Sequence, residues 1–214
     1  VSHPPSPRLT RSTPATTWRW LWPDVLIRIV PLTAIPLLSA ALQHLPTSWL
    51  GLSAGNWLLQ VLIGLPIGLA MAAFAIAYRS VVLGPRFRRP TCADHLLQSV
   101  YYLCINAPAE ELFFRGFLLT IVAQWTGWTG WGWLVSTAAY TLYHRLGKWS
   151  WRSIAGVGLA GLLFSTLYIA LPGPRSLLLV VIVHGFTTWG FLSLGDEVLY
   201  WRWQRKDRPA RRAT

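Results

Sequence analysis

The segment NAPAEELFFRGFLL, Asn106 to Leu119, places two adjacent glutamates and an arginine inside an otherwise apolar run, in a chain with only seven acidic residues. Ionised carboxylates are costly in such surroundings, so a pair of them points to chemistry or to a specific partner. One alternative is that Asn106 and Pro108 open a new helical segment whose first-turn acids complement its dipole. That accounts for one glutamate more easily than two. At about 100° per residue, Arg115 lies roughly 40° around a helix from Glu111 but roughly 140° from Glu110. Glu111 and Arg115 are therefore expected to pair. Glu110 shares a face with Phe114 and Phe117, an apolar setting that disfavours its charged form and suits a general base.

Two histidines lie deep in other apolar stretches, His144 in STAAYTLYHRLG and His184 in VVIVHGFTTWGF. Counted inward from the expected outer ends of their helices at about 1.5 Å per residue, Glu110, His144 and His184 fall within roughly 10 Å of one level. Three ionisable groups at similar depth suggest one site. The plainer reading of either histidine alone is a packing residue bonded to a neighbour, and His144, next to Arg145, also suits an interface.

The elements that must hold these groups follow from composition. Of 214 residues, 53% are hydrophobic and 12% charged, with a mean hydropathy of +0.41. This is the profile of an integral membrane protein. Apolar stretches near the length that crosses a bilayer recur at 25–43, 57–78, 132–147, 153–171 and 176–195, with a longer, interrupted one over 94–125. The expected fold is an all-α polytopic membrane helix bundle of about six transmembrane helices, the third long and kinked. The expected division is a disordered basic tail over 1–22, a membrane domain over 23–200 with its core over 92–195, and a basic tail over 201–214. Val1 as first residue suits a non-standard start or a trimmed terminus, and residues 1–17 lack the apolar core of a signal peptide.

Nineteen basic residues against seven acidic ones give a net charge of +12. With six crossings, the basic tails, the Arg79–Arg89 region and the Arg145–Arg152 turn share one side, while the opposite loops carry only Arg175. The positive-inside rule makes the basic side cytoplasmic, with both termini there, in an inner or plasma membrane. Nucleic acid is not an expected partner, since the charges flank apolar spans and no RNP, zinc-finger or phosphate-loop motif accompanies them. The partners expected are the lipid bilayer and a membrane-associated peptide substrate. Tryptophan clusters at 18–22, 125–133 and 200–203 suit headgroup belts. Cys92 and Cys104 are read as structural.

EExxxR (Glu110, Glu111, Arg115), then Tyr140 to His144, then GLLFSTLYIALPGPRSLLLVVIVHG leading to His184, resembles the CAAX prenyl protease and bacteriocin-processing family of intramembrane glutamic endopeptidases over roughly 92–195. The resemblance implies that Glu110, helped by His144, activates a water for attack on a peptide bond. It also implies that His184, with the residue four positions on, stabilises the oxyanion, with no metal and no cofactor. The expected catalytic set is Glu110, Glu111, His144 and His184, with Arg115, Thr188 and Tyr140 in support. Two positions depart from the family pattern: Tyr140 stands where Phe is usual, and Thr188 where Asn or Asp is usual. A threonine hydroxyl reaches less far than an amide, and loss of an oxyanion donor costs about 2.7–4 kcal/mol. His184 and Thr188 still share a helix face at i, i+4 spacing.

Three rivals stand beside this reading. Two histidines and a glutamate can bind zinc, although no HExxH helix is present. GLSAG at 51–55 fits GxSxG but lacks its strand–turn–helix context. A catalytically weak or inactive scaffold or immunity-type protein of the same fold would tolerate Thr188.

Overall fold

A computed structural model describes residues 10–82, 88–147, 149–171 and 175–212. Residues 1–9 of the expected N-terminal tail, with Arg8, lie outside these residues, as do Arg86 and Lys148. Among the described residues, six helices run in chain order: Pro14–Leu42, Trp57–Val82, 92–126, Thr129–Leu146, Trp151–Ala170 and Leu178–Arg212. The first begins ahead of residue 23, where Thr13 caps it and Pro14 occupies its first turn. The sixth carries the basic C-terminal segment onward as helix. A short parallel pairing joins Thr10–Ser12 to Arg88–Pro90, and a single 3-10 turn occupies Thr47–Leu50.

The molecule is an all-helical membrane bundle with an apolar exterior. Pro14–Leu42, Trp57–Val82, Trp151–Ala170 and Leu178–Arg202 are long and apolar enough to cross a membrane. Large side chains such as Ile27, Leu62, Leu69 and Leu159 face outward, as a lipid solvent requires. The third and fourth helices fall outside that set because their polar residues, Glu110, Glu111, Arg115 and His144 among them, dilute their hydropathy. Glu110, Glu111 and Arg115 are buried inside the bundle.

The third helix is not wound evenly. Turns widened to i, i+5 spacing occupy Tyr101–Asn106 and Leu112–Leu119 and bracket the ordinary turn Ala107–Glu111. Pro108 supplies a reason for the first: it has no N–H for the carbonyl of residue 104 and its ring crowds that carbonyl. The first helix is widened in the same way over Val25–Ile29, between Pro23 and Pro31.

Small residues bring the second and sixth helices together in the most extensive contact of the bundle. A Cβ on Gly190 would lie 2.6 Å from the Ala72 backbone, and one on Gly68 would lie 3.1 Å from the Phe186 ring. This is the close backbone approach that small residues permit in membrane interiors.

Polar contacts fix the ends. Asp94, fully buried at the start of the third helix, accepts hydrogen bonds from Ser12 and Thr17 and, at 3.0 Å, from Gln98 Nε2. The first helix is thereby tied to the third. In the loop after the first helix, Ser53 Oγ donates to the Arg175 carbonyl at 2.7 Å. The GLSAG serine thus holds a loop to the approach of the sixth helix.

Candidate active site

Glu111 and Arg115 form the pair expected from their spacing. Arg115 Nη1 donates to Glu111 Oε1 at 3.0 Å, and neither side chain is exposed. The guanidinium also donates to the Gly161 carbonyl at 3.1 Å and to Ser165 Oγ at 3.3 Å, both on the fifth helix. Its Cζ lies 4.4 Å from the Tyr140 ring centroid. A buried charge persists only when partnered on several sides, and this one is.

His184 reaches the same carboxylate from the sixth helix, with Nδ1 2.6 Å from Glu111 Oε1. The carboxylate accepts, so Nδ1 carries the proton and, in the neutral ring, Nε2 carries the lone pair. The Tyr140 hydroxyl lies 3.3 Å from that Nε2 and, with the ring neutral, donates to it. Phe164 stacks on the imidazole at a 4.8 Å centroid separation. His144 is set in the same sense: its Nδ1 donates to the Tyr140 carbonyl at 2.8 Å, which leaves Nε2 as the lone-pair nitrogen.

Glu110 is where the elements converge. Its Oε2 lies 3.6 Å from His184 Nε2 and 3.9 Å from His144 Nε2. That oxygen is buried and has no hydrogen-bond partner among the described residues. The other oxygen, Oε1, accepts from Asn106 Nδ2 at 2.9 Å and from Arg28 Nη2. Glu110, His144 and His184, expected at a common depth, are thus brought together from the third, fourth and sixth helices.

The surroundings of Glu110 differ from the sequence expectation. They are not an apolar face: an arginine, an amide and two imidazoles meet the carboxylate. The first helix supplies the difference. Arg28 donates to both oxygens of Asp24, at 2.8 and 3.1 Å, and its Nε donates to the Tyr143 hydroxyl at 3.1 Å. Tyr101 donates to Asp24 in turn. Sequence reasoning passed over Arg28. The available signal was an ionisable pair, Asp24 and Arg28, at i, i+4 spacing at the start of an apolar span.

A cavity of about 950 Å³ leads to these groups. Arg28, Glu110, Tyr140, His144 and Thr188 line it, together with Arg79 and Asp196, which form an ion pair across the second and sixth helices. It extends from the helix ends that adjoin the basic loops. His184 does not line it and is 1% exposed, so Tyr140 and Glu110 stand between this ring and the cavity. Thr188 lies one turn from His184 on the cavity wall. Among the described residues, no group of three or more His, Cys, Asp or Glu side chains is disposed to hold a metal ion.

The arrangement is suited to proton transfer at a bound water. An unpartnered carboxylate oxygen faces two lone-pair nitrogens beside an accessible cavity, with each ring fixed by its other nitrogen. Comparison with curated proteins and with solved structures returned no match. Residues 93–190, which carry every group described at the centre except Arg28 and Asp24, match the family model described as type II CAAX prenyl endopeptidase Rce1-like, so this segment is similar to a family of protease-type membrane enzymes.

Proposed function

We propose that the chain is an intramembrane endopeptidase that hydrolyses a peptide bond of a membrane-associated or lipidated substrate with a water activated by Glu110 and His144. The observation that carries this reading is the buried Glu110 Oε2, unpartnered among the described residues and within 3.9 Å of both imidazole Nε2 atoms. A water held there donates one proton to Glu110 Oε2 and the other to His144 Nε2. As its oxygen bonds to the scissile carbonyl carbon, the first proton passes to Glu110. The carbonyl π pair moves onto oxygen to give a tetrahedral oxyanion. Collapse re-forms the carbonyl and breaks the C–N bond, and the proton on Glu110 goes to the leaving amine. General base catalysis of this kind contributes about 10²–10⁴-fold.

Arg28 and Asn106 occupy Oε1, so Oε2 is the oxygen left for the water. The positions of the cavity-lining helix ends support substrate entry from the basic side. By the positive-inside rule that side is cytoplasmic, with both termini on it, in a multi-pass inner or plasma membrane protein.

The test is cleavage of a library of membrane peptides, with and without lipid modification, by the purified protein in lipid vesicles. Wild type is expected to cleave, Glu110→Gln is expected to lose cleavage while inserting normally, and a chelator is expected to change nothing. Equal cleavage by both proteins would reject Glu110 as the base, and chelator-sensitive cleavage would establish zinc. Absence of cleavage by wild type on every substrate would favour the scaffold.

A further inference from the structure

An oxyanion that forms beside Glu110 Oε2 needs a donor that faces the cavity, and the two groups expected for that task are poorly placed. His184 lies behind the cavity wall, its Nδ1 committed to Glu111 and, in the neutral ring, its Nε2 accepting rather than donating. Thr188 lines the cavity, but its hydroxyl sits on a short side chain. Tyr140 lines the same cavity, and its hydroxyl and Glu110 Oε2 are within 3.6 Å of one nitrogen, His184 Nε2.

We propose that the Tyr140 hydroxyl is the oxyanion donor of this protein, supplying from the fourth helix the hydrogen bond that Thr188 is too short to make. The assignment rests on the hydrolytic reading above. Three features of the site support it. First, the existing bond to His184 Nε2, at 3.3 Å, is long for a hydroxyl donor. Rotation about one C–O bond exchanges it for the stronger bond to a charged oxygen.

Second, the ring is already fixed, so little reorganisation accompanies the reaction. Phe114 meets it edge-on at 5.3 Å, and a Cβ on Gly161 would come within 2.8 Å of its Cδ1. Third, the Arg115 guanidinium over the ring face withdraws electron density and makes the hydroxyl a better donor. Arg115 thereby serves the reaction through Tyr140 as well as through Glu111.

The experiment measures kcat and KM for cleavage of one substrate by wild type, Tyr140→Phe, Thr188→Asn and the double variant Tyr140→Phe/Thr188→Asn in vesicles. Phe keeps the ring and its packing, so Tyr140→Phe is expected to lower kcat by about 10²-fold or more with KM within about twofold of wild type. An asparagine amide at 188 reaches further into the cavity, so the double variant is expected to regain at least about tenfold of that loss. Rescue of this kind separates a donor from a residue that merely positions His184. Wild-type kcat in Tyr140→Phe, or a loss that Thr188→Asn does not relieve, would overturn the assignment while leaving the hydrolytic reading intact. Failure of wild type to cleave would remove both.

Discussion

Glu111 Oε1 accepts hydrogen bonds from Arg115 Nη1 at 3.0 Å and from His184 Nδ1 at 2.6 Å, so one carboxylate oxygen sets both a buried cation and the tautomer of a histidine. The two glutamates at 110 and 111 consequently have different tasks. Glu110 meets the cavity, whereas Glu111 faces inward and organises the groups around it.

Loss of that organiser is expected to unfold more than it inactivates. Glu111→Ala leaves the Arg115 charge buried without its carboxylate, which costs about 3–5 kcal/mol. Thermal unfolding in detergent should fall by roughly 6–20 °C, using about 2–4 °C per kcal/mol for a chain of this size. Glu111→Ala combined with Arg115→Met removes both charges and is expected to recover part of the loss.

Arg28 makes a different prediction, because it holds Glu110 from outside the family-matched segment. Arg28→Ala removes a charge-assisted hydrogen bond of about 1.5–3 kcal/mol, or roughly 10–100-fold in rate. The loss is expected in kcat, with normal membrane insertion, and added guanidinium is expected to restore part of it. An unchanged kcat in Arg28→Ala would remove the first helix from the site.

Packing around Tyr140 can be tested from the fifth helix. Gly161→Ala places a methyl carbon 2.8 Å from the Tyr140 ring, and overpacking of this kind costs about 1–3 kcal/mol. Reduced turnover together with a lowered unfolding temperature is expected, and Tyr140→Phe is not expected to relieve the clash because the contacted atom is a ring carbon. Gly158→Ala, one turn away with its nearest neighbour at 3.3 Å, is the control expected to do less.

The seam between the second and sixth helices predicts a purely structural effect. Gly190→Ala puts its Cβ 2.6 Å from the Ala72 backbone, which cannot yield as a side chain would. The helices must part, and unfolding is expected at lower temperature or lower denaturant. Gly68→Ala meets the Phe186 side chain at 3.1 Å and is expected to cost less.

The bundle could be read from residue order because membrane helices declare themselves by apolar length, and each of the six helices observed among the described residues overlaps a stretch delimited by hydropathy alone. Glu110, His144 and His184 were legible because an ionisable group inside an apolar run is costly and therefore conspicuous. Arg28 was as conspicuous, yet hydropathy averaging absorbed one charge in a long span. The widened turns were not legible, since Pro108 indicates a disturbance without stating its form. Nor was the role of the Tyr140 hydroxyl, which depends on a ring from the sixth helix and a glycine on the fifth arriving at the same place. The apolar setting expected for Glu110 failed for a related reason: periodicity ranks neighbours on one helix and is blind to a guanidinium contributed by another.

The tie at Asp94 bears on how the protein is handled. Ser12 precedes the helix that carries Arg28, Thr17 lies in its first turns, and both donate to this one buried acid. A bulky purification tag grafted close ahead of Thr10 would tug on that tether and displace the arginine's register, so affinity handles and fluorescent fusions belong at the carboxyl end.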